Sequence, residues 1–163
     1  MIRVWRITRA RHEASALSGE GAKLHGGRWN WAGVPMVYTS ESVALAALET
    51  FVGMEIASHA ARIEWTLLGI DIPDSPPPMR FEERSLPKGW NQYPRLEITQ
   101  DMGSAWARNG KSLALMVPSS VIPREKNILL NPNHQGMAKV IVAVKETFLF
   151  DGRLMGKPTG QQY

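Results

Sequence analysis

Five polar residues in this chain of 163 have the types and settings to do chemistry: Arg28, Tyr38, Glu49, Ser119 and Asn131. Arg28 sits in the glycine-rich run Gly26-Gly27-Arg28-Trp29-Asn30, where a backbone without side chains lets a ligand come close. A guanidinium there can grip a phosphate through two parallel hydrogen bonds, or it can make a structural salt bridge, with Glu49 as the partner. Tyr38 ends a short apolar run and can stack on a planar ring or serve as a core aromatic. Glu49 is a lone carboxylate in an Ala-rich stretch that also carries Val43, Leu45, Leu48 and Val52. It follows Leu45 by four residues, so on a helix the acid shares a face with an apolar side chain. Such an acid is either catalytic or exposed on a helix of different phase. Ser119 follows Pro118 at the end of an apolar run, where a turn residue is the plainer reading. Asn131 stands in Asn131-Pro132-Asn133, holds a turn, and is left out of the catalytic set.

Other chemistries lack their residues. The chain has no cysteine, which removes disulfides, thiol nucleophiles and Cys-ligated metals. It has no GxGxxG, no phosphate loop ending in GK[ST], and no GxSxG elbow. His12, His25, His59 and His134 lack metal-ligand spacing. Glu82-Glu83 reads as a solvated, proline-flanked surface. No apolar run approaches the about 18 residues that span a bilayer, and the first ten residues lack the apolar core of a signal peptide. A cytoplasmic location is expected. The net charge is +4, and residues 1–28 carry the whole excess through Arg3, Arg6, Arg9, Arg11, Lys23 and Arg28 against Glu13 and Glu20. A basic segment of this kind steers anionic ligands, docks an acidic protein, binds nucleic acid, or is simply a solvated edge.

The elements that must position these residues follow from pattern. Residues 2–8 are rich in β formers and predict a strand. Residues 9–27 read as loop, 28–31 as a short strand, 32–33 as a turn and 35–39 as a strand. Ser40 is expected to cap a helix from Glu41 to Phe51, ended by Gly53. Residues 61–72 predict a strand and Pro73 with Pro76-Pro77-Pro78 an extended connector. Residues 73–97 carry no signature. A helix is expected over Thr99–Arg108, capped by Thr99 and stopped by Asn109-Gly110. Strands follow at 113–117, 127–130 and 139–150, and the tail from about residue 156 is expected to fray. Many short strands and two helices, without β-α-β alternation, give the α+β class. The length suits a single domain over 1–163.

Taken together, several short runs resemble the RES-domain family, named for its Arg, Glu and Ser. They are Gly27-Arg28-Trp29, Pro35-Met36-Val37-Tyr38, Ala47-Leu48-Glu49, Val117-Pro118-Ser119-Ser120, and Asn127 through Leu130 into Asn131-Pro132-Asn133-His134. The resemblance spans most of the chain in order. It implies a toxin of a bacterial toxin–antitoxin pair, partnered by an Xre-type antitoxin with a helix-turn-helix domain. It implies a fold like that of the ADP-ribosyltransferase toxins, a bent, split β core with flanking helices that clasps NAD. By position the family's Arg, Tyr, Glu and Ser fall on Arg28, Tyr38, Glu49 and Ser119.

The chemistry implied is cleavage of the nicotinamide–ribose bond. It builds oxocarbenium-like charge on the sugar, as glycoside hydrolysis does. Nicotinamide is already cationic and leaves neutral, so one carboxylate suffices and no metal is needed. On this reading Glu49 serves the ribose, Arg28 the pyrophosphate and Tyr38 the nicotinamide ring, while Ser119 orients Glu49 or binds the nicotinamide amide. NAD is then a substrate. Water accepts the ADP-ribose in hydrolysis and a protein side chain accepts it in mono-ADP-ribosylation, the nearest alternative. A non-catalytic partner or nucleic-acid-binding module is the second alternative. The implied partners are the antitoxin and NAD, with a homo-oligomer within the antitoxin complex, and neither a membrane nor direct nucleic-acid contact.

Overall fold

In a computed structural model, residues 1–54, 60 and 62–155 of the chain are described. Their core is a seven-stranded sheet, β4-β5-β6-β2-β1-β3-β7. In chain order the elements are β1 (Ile2–Arg9), α1 (Glu20–His25), β2 (Val37–Ser40), α2 (Val43–Val52), β3 (Trp65–Ile72), β4 (Met79–Arg80), α3 (Glu97–Asn109), β5 (Ala114–Pro118), β6 (Lys126–Leu130) and β7 (Ile141–Phe148). All neighbours are antiparallel except β4 and β5. This is the α+β arrangement the pattern predicts.

The sheet is not uniformly zipped. β1 pairs with β3 along its whole length, from Ile2 opposite Ile72 to Arg9 opposite Trp65. β2 pairs with β6 over all four of its residues. Between them, β1 and β2 are in register only at Trp5 and Ser40. The sheet therefore splits into β4-β5-β6-β2 and β1-β3-β7, and the two parts diverge away from that single pair.

Both faces of β3, β5 and β6 are covered, which explains their apolar runs. Along β6 the side chains alternate: Ile128 and Leu130 pack with Val4, Val37, Leu68 and Ile70, while Leu129 packs with Trp29, Met36, Trp106 and Leu115. A third cluster, Ile7, Ala46, Trp65, Leu67 and Phe150, seats α2 against β1 and β3.

Several elements depart from the sequence expectation. Residues 9–27 are not all loop: a 3-10 turn covers Ala10–Ser15 and α1 follows, both too short to show helical periodicity. Residues 28–31 form a tight turn closed by the bridge between Gly27 and Asn30, not a strand. The helix cap is Ser42, whose Oγ accepts from the Leu45 amide, because β2 runs on through Ser40. Thr99 lies inside α3, where its hydroxyl donates to the Leu96 carbonyl and accepts no cap bond. The α-helices number three among the described residues, not two. Ala61, His59 and the tail from residue 156 lie outside the described residues.

Candidate active site at the sheet split

The split leaves a cavity of about 240 Å³ between the diverging strands. Its wall is built by Trp5, Arg6 and Ile7 of β1, Tyr38, Thr39 and Ser40 of β2, Glu49 and Thr50 of α2, and Asn127 of β6. That volume is below the roughly 300–1,000 Å³ of sites for drug-sized ligands. Two further clefts, of about 340 and 550 Å³, share Arg6 with it and lengthen the path.

Glu49 reaches this wall because α2 buries Leu45 and Ala46 on the side facing the sheet. The acid lies four and three residues further on, at the border of that face. Val52, one of the apolar residues of this stretch, is 58% exposed, so the buried stripe is narrower than the apolar composition suggests. Glu49 is held by one oxygen. Ser119 Oγ donates to Oε1 at 2.7 Å and Asn127 Nδ2 donates to the same atom at 2.6 Å. Oε2 has no hydrogen-bond partner among the described residues. Both donors are themselves fixed. Ser119 Oγ accepts from the amides of Val121 and Ile122, which turns its one proton toward Glu49. Asn127 Oδ1 accepts from Ser40 Oγ at 2.8 Å, which settles which end of the amide faces the acid.

Ser119 is fully buried. Its hydroxyl is spent on Glu49 Oε1, the partner the orientation role expects. Asn131 is also buried, donates to the Ala107 carbonyl and accepts from the Asn133 amide, a turn-holding pattern.

The glycine-rich turn is organised by Tyr38 and Asn30. Tyr38 Oη accepts from the Trp29 amide and donates to Asn30 Oδ1. Asn30 Nδ2 in turn donates toward the carbonyls of Ala22, Trp31 and Val34. Burial pushes the Tyr38 hydroxyl well above the usual phenol range. Its hydroxyl is thus a structural tie, and its ring lines the cavity. A side chain at Gly27 would put Cβ 2.5 Å from Tyr38 Oη, which accounts for glycine there.

Arg28 does not pair with Glu49. Its Nη1 donates to the carbonyls of Trp90 at 2.8 Å and Gln92 at 3.1 Å. Trp29 packs beside it on Phe81 and Trp90. The turn thereby clamps the 81–92 segment, a role with no signal in composition or spacing. Burial lowers the Arg28 pKa; the Glu49 carboxylate opposes that and Arg95 adds to it, so both groups lie within electrostatic reach.

Two site residues escaped the sequence reading. Asn127 looked like the start of a strand; its register opposite Ser40 and Val117 is what brings it to Glu49. Arg6 looked like part of a basic edge. That edge is not uniform: Arg3 pairs with Asp71, while Arg6 turns inward and donates from Nη1 to the Tyr38 carbonyl at 2.7 Å, across the split. No helix among the described residues is long and apolar enough to cross a membrane.

Residues 3–151 match the family model of the RES domain. The chain is 38% identical over 152 residues to a protein named Toxin Res from Yersinia enterocolitica, covering 93% of this chain and 98% of that one. It is 38% identical over 159 residues to the Prs ADP-ribosylating toxin of Sphingobium sp., covering 94% and 96%. Its fold is similar to that of a chain in the crystal structure of the M. tuberculosis MbcT–MbcA toxin–antitoxin complex, with a TM-score of 0.69 at 17% identity over 90% of this chain and 84% of that one.

Proposed function

The chain belongs to the RES domain family, and from that premise we propose that it is the toxin of a bacterial toxin–antitoxin pair and cleaves the nicotinamide–ribose bond of NAD. One observation carries the chemical part. A carboxylate on the wall of the split is gripped by two donors on one oxygen and, among the described residues, left without a hydrogen-bond partner on the other.

That arrangement suits a reaction that develops positive charge at the ribose. As the C1′–N bond breaks, its electron pair leaves with nicotinamide, which departs neutral and needs no proton from the enzyme. The sugar becomes oxocarbenium-like, and Glu49 Oε2 can accept from the ribose 2′-hydroxyl while the carboxylate offsets the cation. Ser119 and Asn127 fix the acid beforehand, so no reorganisation is needed as charge appears. The Tyr38 ring forms a wall for the nicotinamide, and the guanidinium nitrogens of Arg28 not used on Trp90 and Gln92 serve a phosphate. Water adding to C1′ gives ADP-ribose and releases a proton.

A second reading shares the first step. The Sphingobium relative is named for ADP-ribosylation, which favours a protein side chain as acceptor. The partner on either reading is an antitoxin of the Xre helix-turn-helix class, which carries the DNA binding. NAD labelled in its adenine, added to the free toxin and then to a bacterial lysate, separates the readings. Label in free ADP-ribose with purified protein supports hydrolysis; label on a discrete protein band only in lysate supports transfer. Intact NAD in both arms contradicts the proposal.

A further inference from the structure

The far end of the sheet holds a second concavity. The partners of Glu49 stand where β5 has ended, at Ser119, and where β6 begins, at Asn127. At the opposite end, where β5 begins and β6 has ended, a cavity of about 450 Å³ opens, within the roughly 300–1,000 Å³ of small-molecule sites. Part of its lining is apolar: Pro73, Pro76 and Pro77 after β3, and Leu113 and Ala114 at the start of β5. Proline fixes its own backbone torsion, so this part of the wall is largely pre-formed. Every charged side chain on the cavity is a cation or can become one: Lys111, Lys139 and His134. The acid of the proline segment, Asp74, is taken by the amino terminus at 2.8 Å. Neither lysine has an ion-pair partner among the described residues. His134 Nδ1 accepts from the Gly136 amide at 2.9 Å. The neutral ring therefore carries its proton on Nε2, which has no hydrogen-bond partner among the described residues.

We propose that this cavity binds a small organic oxyanion, a phosphate monoester carried on an apolar or aromatic ring. The two ammonium groups act as point charges on the phosphate, the His134 Nε2–H donates to one of its oxygens, and the proline and leucine surface covers the ring. A phosphate monoester has three terminal oxygens and close to two negative charges, which matches two ammoniums and an imidazole better than a carboxylate does. The proposal stands apart from NAD cleavage, since this cavity shares no lining residue with the one at Glu49.

Phenyl phosphate, which has the ring and the phosphate but neither ribose nor pyrophosphate, is the probe. It is titrated into the full chain while the backbone amides are followed by two-dimensional NMR. Saturable shifts are expected at Lys111, Leu113, Gly136 and Lys139. Both lysines are exposed, so the Lys111→Gln/Lys139→Gln double variant should fold, and it should bind the probe more weakly by about threefold to thirtyfold. His134→Asn keeps a side-chain acceptor for the Gly136 amide while removing the Nε2 donor, and should weaken binding by about threefold to tenfold. Inorganic phosphate should bind more weakly than phenyl phosphate. The proposal is overturned by no saturable shift at these amides in the wild type, by shifts confined to the surroundings of Arg28 and Glu49, or by equal affinity in the double variant and the wild type. Inorganic phosphate binding as tightly as phenyl phosphate overturns the ring-bearing class of ligand.

Discussion

At the scale of single residues, the site is a carboxylate whose freedom has been removed on one side only. Ser119 and Asn127 both bond to Oε1 of Glu49, and a hydrogen bond to a charged group contributes about 1.5–3 kcal/mol. Asn127→Ala should lower kcat by about tenfold to a hundredfold with little change in KM, measured by nicotinamide release. Ser119→Ala should do the same and also lower the melting temperature, because the buried amides of Val121 and Ile122 lose their acceptor; equal activity in both variants would remove the orientation argument. Arg6 has the opposite character: the side chain is half-buried and its Nε is buried with no hydrogen-bond partner among the described residues. Of these residues, Glu49 was legible as an outlier in apolar surroundings, and Ser119 only through the family resemblance. Asn127 and Arg6 were not, since strand register and an inward turn of one side chain leave no trace in composition.

At the scale of elements, the glycine-rich turn is held by α3. The Trp31 amide donates to Ser104 Oγ, the Trp31 indole to Asp101, and Gln100 Nε2 to the Asn30 carbonyl. A Cβ at Gly103 would lie 1.9 Å from the Trp29 carbonyl oxygen. Gly103→Ala should therefore push the helix off the turn and destabilise the protein by at least about 1–3 kcal/mol, read as a lower urea midpoint. The Ala10–Ser15 turn is tied down differently, by Glu13 between Lys145 at 2.8 Å and Thr66 at 3.3 Å. The Lys145 bond holds the Glu13 carboxyl below its usual 4.5. A depressed folded value means its contribution is complete above the unfolded pKa and is lost as pH falls through the folded one. The protection of this turn's amides, corrected for the intrinsic exchange rate, should fall as pH drops through the Glu13 titration, and Lys145→Ala should move that onset upward; an unchanged onset would contradict the tie. These strands were readable because β3, β5 and β6 are buried on both faces, which writes apolar runs into them. The turn at 28–31 was misread as a strand because Trp29 and Trp31 look like β formers while a buried asparagine, Asn30, in fact sets the backbone.

At the scale of the molecule, function follows from incomplete zipping. One register pair between β1 and β2 opens a cavity in the middle of an otherwise continuous sheet, and α2 delivers its acid to the edge of that opening. The α+β class was legible in the pattern of short strands; the split was implied only by family resemblance, because which strands pair is a long-range property. The cleft beside the cavity lined by Arg6, Arg9 and Arg11 should make NAD capture salt-dependent, with KM rising as ionic strength increases while kcat holds; a KM indifferent to salt would detach that cleft from substrate binding. The central claim is that Glu49 stabilises a ribosyl cation formed from NAD, and the most direct measurement is nicotinamide release by the purified, antitoxin-free chain against its Glu49→Gln variant. The account predicts steady release by the wild type and a rate lower by about 10²–10³-fold in the folded variant. Intact NAD after hours with folded wild-type protein, or equal rates in the two, would contradict it.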